Sequence, residues 1–217
     1  MSNIGTLSME WQEKIAADLT RMKVEGPSLI NVEIEKTRFT TTLVIQPDEE
    51  TRQKIHEAIT PLANMFKGLY IQPVEGLHIS IQWSDQQTGD EAQLASLISQ
   101  INPPALEAEF ILPFPSKPNL FAVVIPKNNS LWMAKIREKA TSAFSKAGYQ
   151  SKLPVSLPSL WMSLVRFTTD FDLKDLEKVT NDLSTVSIEC KKFTMFLAKA
   201  NPFFDKDTLR ILSSKEF

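Results

Sequence analysis

A chain of 217 residues that is 42% hydrophobic and 23% charged, with a formal charge of −2, has the size and make-up of one large globular domain or two small ones. Its sequence pI near 5.8 gives no overall basic field, so sequence-blind attraction to long nucleic acid is not expected, whereas a nucleotide or an RNA end stays within reach. A lone cysteine, Cys190, and two histidines, His56 and His78, exclude a disulfide framework and leave little material for a metal centre; no metal and no cofactor is expected.

The opening Met1-Ser2-Asn3 lacks the basic start and apolar run of a signal peptide, and no apolar run approaches bilayer length, so a reducing, cytoplasmic compartment without membrane contact is expected. Trp11, Ile15, Leu19 and Met22 recur at helical spacing, which predicts an amphipathic helix over 8–23, capped by Ser8 and ended by Gly26-Pro27. Residues 1–37 are expected to form a helical extension that packs on the main domain, 38–217. The β-branched run 38–45 predicts a strand. A helix follows from about Pro47 to Phe66, with Pro61 placed to kink it and His56 on its solvated surface.

The stretch Gly76–Trp83 alternates as a half-buried strand does: Leu77, Ile79, Ile81 and Trp83 on one face, His78, Ser80 and Gln82 on the other. A helix over about 90–101 and a strand over 105–112 come next. The proline-rich run 113–118 is expected to be a stiff boundary between two halves, roughly 38–112 and 119–213. The second half restarts with a strand at 120–125, a helix from about Ser130 to Lys146 on the apolar face of Trp132, Ile136, Ala140, Ala143 and Phe144, and, after a loop punctuated by Pro154 and Pro158, a strand at 160–167. A helix at 172–183 and strands at 186–197 and 208–212 close the chain, the last two joined by a turn around Asn201-Pro202.

Strand–helix–strand–helix–strand thus occurs twice. Phe39 to His78 spans 39 positions and Phe121 to Trp161 spans 40. Superposing the copies sets Leu77-His78-Ile79-Ser80-Ile81 on Leu160-Trp161-Met162-Ser163-Leu164. Duplicated halves pack most simply as an α+β fold of two similar lobes about a pseudo-two-fold, which would bring His78 and Ser80 near Trp161 and Ser163.

This pattern resembles the 2H phosphoesterase superfamily, which includes the 2′-5′ RNA ligase-like cyclic phosphodiesterases. His78-Ile79-Ser80 matches its first H-x-[S/T] motif in full. Trp161-Met162-Ser163-Leu164-Val165-Arg166-Phe167 resembles the second, except that tryptophan stands where that motif has histidine. The resemblance covers roughly 38–213. It implies two lobes, each an antiparallel sheet with helices on its outer face, around a central cleft, and a metal-independent phosphodiester chemistry. In that chemistry two histidines exchange protons and the hydroxyls hold non-bridging oxygens. Trp161 does not titrate and cannot be the missing acid or base. On this basis His78 is the candidate catalytic residue, and Ser80, Ser163, Trp161 and Arg166 are candidates for phosphate and substrate binding. Strict alternation sets Arg166 on the side of Leu164, away from Ser163, unless a bulge intervenes.

Three readings stay open: a domain that binds a nucleotide, cyclic phosphate or RNA end with weak or no turnover; a phosphodiesterase whose second proton comes from water or another group; and a scaffold that kept the fold alone. Trp161 stacks on a base in the first and fills space in the last. The sequence sets no oligomeric state.

Overall fold

The computed structural model describes residues 7–86, 88–128, 132–153, 160–181 and 185–217. The loop at Pro154 and Pro158, the helix ends expected at Ser130 and Leu183 and the side chain of Trp132 lie outside them. Helix α1 spans Met9–Glu25 and a short helix α2 spans Val32–Lys36. Strand β1 (Thr40–Pro47) leads to α3 (Glu49–Met65), β2 (Leu69–Ile71), β3 (Ile79–Ser84) and α4 (Glu91–Ser99). Then come β4 (Ala108–Pro115), β5 (Asn119–Pro126), α5 (Trp132–Lys146), β6 (Leu160–Phe167), α6 (Leu176–Asn181), β7 (Val186–Cys190), β8 (Phe193–Ala200) and β9 (Arg210–Glu216).

Local chemistry accounts for most of these boundaries. Asp48 and Asp90 cap α3 and α4 by accepting the backbone N–H of Thr51 and Gln93. Gly26, at φ 74°, turns the chain out of α1 where a side chain would be strained. Pro61 lies inside α3 without ending it, because the buried stripe of Ile55, Ile59 and Leu62 holds the helix on the sheet. Two short elements, α2 and β2, escape the sequence pattern because each is below the length at which a period can be counted.

All strands join one antiparallel sheet in the order β7-β4-β5-β6-β3-β1-β8-β9, with β2 paired to β6. Two corrections follow. The expected pair of sheets is a single sheet, and it does not divide at 112/119. The run 113–118 closes the β4–β5 hairpin, with Ser116 and Asn119 bonded to each other through their backbones, so its prolines serve a turn rather than a linker. The stretch expected as one strand at 186–197 is two strands on opposite sides of the sheet: β7 pairs with β4, while β8 pairs with β1. Lys191 and Lys192, between them, mark the break.

One face of the sheet is covered by α3, α4, α5 and α6, and the main core lies there, around Ile55, Leu94, Phe144, Ile79, Met162 and Leu164. Among the described residues the other face carries two apolar covers. Over β4 and β5 lies α1, its Trp11 and Ile15 on Ile111, Phe114, Phe121 and Val123. Over β1 and β8 lies Phe204, from the β8–β9 connection, on Val44, Phe196 and Ala198. Between these covers β3 and β6 expose a strip. Helix α1 therefore packs on the sheet face opposite α3, α4 and α5.

Candidate functional site

Strands β3 and β6 meet through the pair Ile79–Met162. Both side chains point into the main core, so their neighbours point into the strip. Antiparallel register then sets His78 opposite Ser163 and Ser80 opposite Trp161.

A bulge brings Arg166 to the same face. Leu120 pairs with Val165 but Phe121 pairs with Ser163, so β6 carries one extra residue at Leu164. Leu164 and Val165 both enter the core, alternation restarts one residue late, and Arg166 emerges beside Ser163. The same irregularity occurs in β3: Leu43 pairs with Gln82 and Val44 with Ser80, passing over Ile81. Strict alternation through Gly76–Trp83 is thereby corrected. Gln82 is fully buried on the helix side, where its amide donates to Thr141 Oγ1 and the Leu153 carbonyl and accepts from the backbone of Trp83, Lys152 and Leu153. Trp83 takes the opposite face.

His78, Ser80, Trp161, Ser163 and Arg166, with Gln72 and Pro202, line one recess of about 50 Å³. All five residues singled out in the sequence thus line one recess. His56 does not; it is half-buried on α3, its Nδ1 3.2 Å from the Gln72 carbonyl oxygen.

The His78 Nδ1 stands 2.7 Å from the Gly76 carbonyl oxygen. A carbonyl only accepts, so Nδ1 carries the proton and Nε2 is left with its lone pair. Burial, with help from the nearby Arg166 cation and against the Gly76 carbonyl, lowers the His78 pKa to about 4. The Phe204 ring covers the imidazole at 4.0 Å, held there by an unusual backbone, φ 57°. Asn201 enforces that turn: its Oδ1 accepts from the N–H groups of Phe203 and Asp205. Gly76 is required for contact. A Cβ there would lie 2.4 Å from the Phe203 carbonyl oxygen and 2.3 Å from Gln72 Nε2.

On the opposite wall Ser163 Oγ accepts from Asn119 Nδ2 at 2.7 Å, and Asn119 Oδ1 accepts from Ser116 Oγ at 2.6 Å. That chain leaves the Ser163 proton free to point into the recess. Arg166 Nε is buried with no hydrogen-bond partner, and the guanidinium makes no ion pair among the described residues. Desolvation lowers its pKa; Glu35, the carboxylate that acts on it, is bonded to Arg38 at 3.0 Å.

Asn119, Gln72 and Phe204 went unread in the sequence. Asn119 is the polar first residue of an otherwise apolar strand, and Phe203-Phe204 is an aromatic pair in a turn flanked by Asn and Asp, which is out of place on a solvated loop. Among the described residues there is no cluster of three or more potential metal ligands, and no helix is long and apolar enough to cross a membrane.

The architecture is an α+β fold, one antiparallel sheet with peripheral helices. The structure of TT0787 from Thermus thermophilus shares it at a TM-score of 0.55 with 14% identity, over 82% of this chain and 97% of that one. Two further structures are similar at a TM-score of 0.49. One, described as a phosphoesterase, has 12% identity and covers 83% of this chain and 96% of its own. The other is LigT of E. coli complexed with 3′-AMP, at 11% identity over 82% and 98%. At these identities the likeness is one of fold. No protein-family model matches the chain, and no curated protein matches it.

Proposed function

We propose that the recess is a phosphate site that takes a nucleotide phosphate, a cyclic phosphate or an RNA end, with weak phosphodiester turnover. The observation that carries this reading is Arg166: a buried Nε without a hydrogen-bond partner, on a guanidinium that makes no ion pair among the described residues, in the recess of the two hydroxyls. A buried cation left uncompensated costs stability, and an anion in the recess removes that cost. Arg166, Ser80 and Ser163 donate to the phosphate oxygens. The free lone pair of His78 Nε2 accepts from a hydroxyl, either of the ligand or of an attacking water.

A recess of about 50 Å³ is far below the several hundred Å³ that hold a whole small molecule, so the phosphoryl group enters and the rest of the ligand lies outside. Chemistry then stops halfway. His78 can take the proton of a nucleophile, but Trp161 cannot protonate the leaving oxygen. A positioned proton-transfer group is worth ~10²–10⁴ in rate, which is the deficit expected here. The reading of the site as the remains of a duplicated pair is supported by the bulges, one residue after Ser80 in β3 and one after Ser163 in β6.

Calorimetric titration with a nucleoside 3′-monophosphate, against the unphosphorylated nucleoside, tests the reading. Saturable binding of the phosphate-bearing ligand alone is expected. Equal binding of both, or of neither, would overturn it.

A further inference from the structure

Resting on that phosphate reading, we infer that helix α1 supplies a second anion subsite, with Lys14 as its cation, and that the ligand carries two phosphates. Trp161 lines two recesses. On one side is the phosphate recess; on the other is a cavity of about 140 Å³ walled by Lys14, Asp18, Ser116, Pro118, Asn119, Phe121 and Trp161. The two are joined chemically as well, since the Asn119 amide that borders the second cavity donates to Ser163 in the first.

Most of the polar groups around the second cavity are already matched. Asp18 is paired with Arg21. Ser116 and Asn119 are bonded to each other and onward to Ser163. Lys14 differs. Its ammonium lies 4.7 Å from the centre of the Trp161 ring and 5.0 Å from that of Trp11, and it makes no ion pair among the described residues. Two indole faces, rather than a carboxylate, fix where this charge sits. Arg166 and Lys14 are thus two cations that make no ion pair among the described residues, on either side of one tryptophan.

The recess holds no more than the phosphoryl group of a ligand, and Trp161, the side chain the two cavities share, offers the rest of it a path from one to the other. The ligand then passes under Lys14, where a second phosphate meets a positioned ammonium. A nucleoside bisphosphate, or the last two phosphates of an RNA end, has that form. The helix read from sequence as a packing element becomes part of the specificity of the site.

The test compares binding of a nucleoside 3′-monophosphate and a nucleoside 3′,5′-bisphosphate to the wild-type chain, Lys14→Gln, Lys14→Arg and, as a control for charge alone, Lys174→Gln. In the wild type the bisphosphate is expected to bind about tenfold tighter, as one added charge-assisted contact provides. That ratio should fall close to one in Lys14→Gln and persist in Lys14→Arg and Lys174→Gln. A ratio near one in the wild type, or one that survives Lys14→Gln, would overturn the second subsite while leaving the phosphate recess standing. Failure of both ligands to bind the wild type would remove the recess reading itself.

Discussion

Replacing Arg166 with methionine separates a binding residue from a structural one. The substitution keeps the length of the stem that crosses the sheet face but removes the charge and all the donors. Were Arg166 structural, its loss would break bonds and destabilise the fold. Here the buried Nε has no partner and the guanidinium no ion pair among the described residues, so the fold loses no contact of that kind and is relieved of a desolvated charge, a burden of several kcal/mol when uncompensated. A partly open recess lowers that figure, and a gain of about 1 kcal/mol is the reasonable expectation. In a chain of this size that corresponds to a rise in melting temperature of roughly 2–4 °C. Affinity should move the other way. Charge-assisted hydrogen bonds are worth ~1.5–3 kcal/mol each, and losing one weakens binding of a nucleoside 3′-monophosphate by roughly 10–150-fold. Calorimetric titration and thermal unfolding of Arg166→Met give both numbers. A lowered melting temperature with unchanged affinity would refute the reasoning.

Trp161→His should restore the missing proton-transfer group opposite Ser80 and raise hydrolysis of a 2′,3′-cyclic nucleotide by ~10²-fold or more, a gain that a further His78→Ala removes; no gain would mean that more than one group is missing. Gly76→Ala forces a Cβ against the Phe203 carbonyl and Gln72; unfolding should show a loss of about 1–3 kcal/mol, together with weaker phosphate binding, as the Gly76 carbonyl that sets the His78 tautomer moves. Asn119→Ala removes the donor that holds Ser163; phosphate affinity should fall by roughly 3–10-fold, about the worth of one neutral hydrogen bond, and wild-type affinity would show that Ser163 needs no orienting.

Much of this fold was legible because its long elements bury one face each. The periods of α1, α3 and α5 stand out in the sequence, and β6 falls at the residues its alternation marks. The meeting of His78 and Ser80 with Trp161 and Ser163 was legible as well, through the echo of Gly76–Trp83 at 160–167. Features set by distant pairing were not. The cysteine-ended strand β7 and the adjacent β8 read as one run, because nothing local says that the chain crosses from one side of the sheet to the other between Cys190 and Phe193. The bulge at Leu164 is equally silent: Leu164 and Val165 are both apolar, and only their pairing with β5 reveals which way Arg166 turns. Phe204 reaches His78 from 126 positions away, through a turn whose Asn and Asp gave a bend but no direction. Lys14 carries no local signal of a role; only the placement of α1 against Trp161 gives its charge a site.

His78, the one histidine among the described residues that line the recess, reports on both Arg166 and a bound phosphate. Burial and Arg166 set its pKa at about 4, below its ordinary value near 6.5, so the ring should stay neutral as the pH is lowered from 8 to 5. Because the folded-state pKa is depressed, the unfolded chain takes up this proton first, and the stability that neutral His78 contributes is lost as the pH falls from about 6.5 towards 4. A phosphate bound beside the ring favours its charged form and should move its titration upward. Proton NMR of the His78 imidazole, titrated with and without a nucleoside 3′-monophosphate, reads this directly. The account predicts a midpoint near 4 in the free protein and a higher one with the ligand; a free midpoint near 6.5 that the ligand leaves unmoved would contradict it.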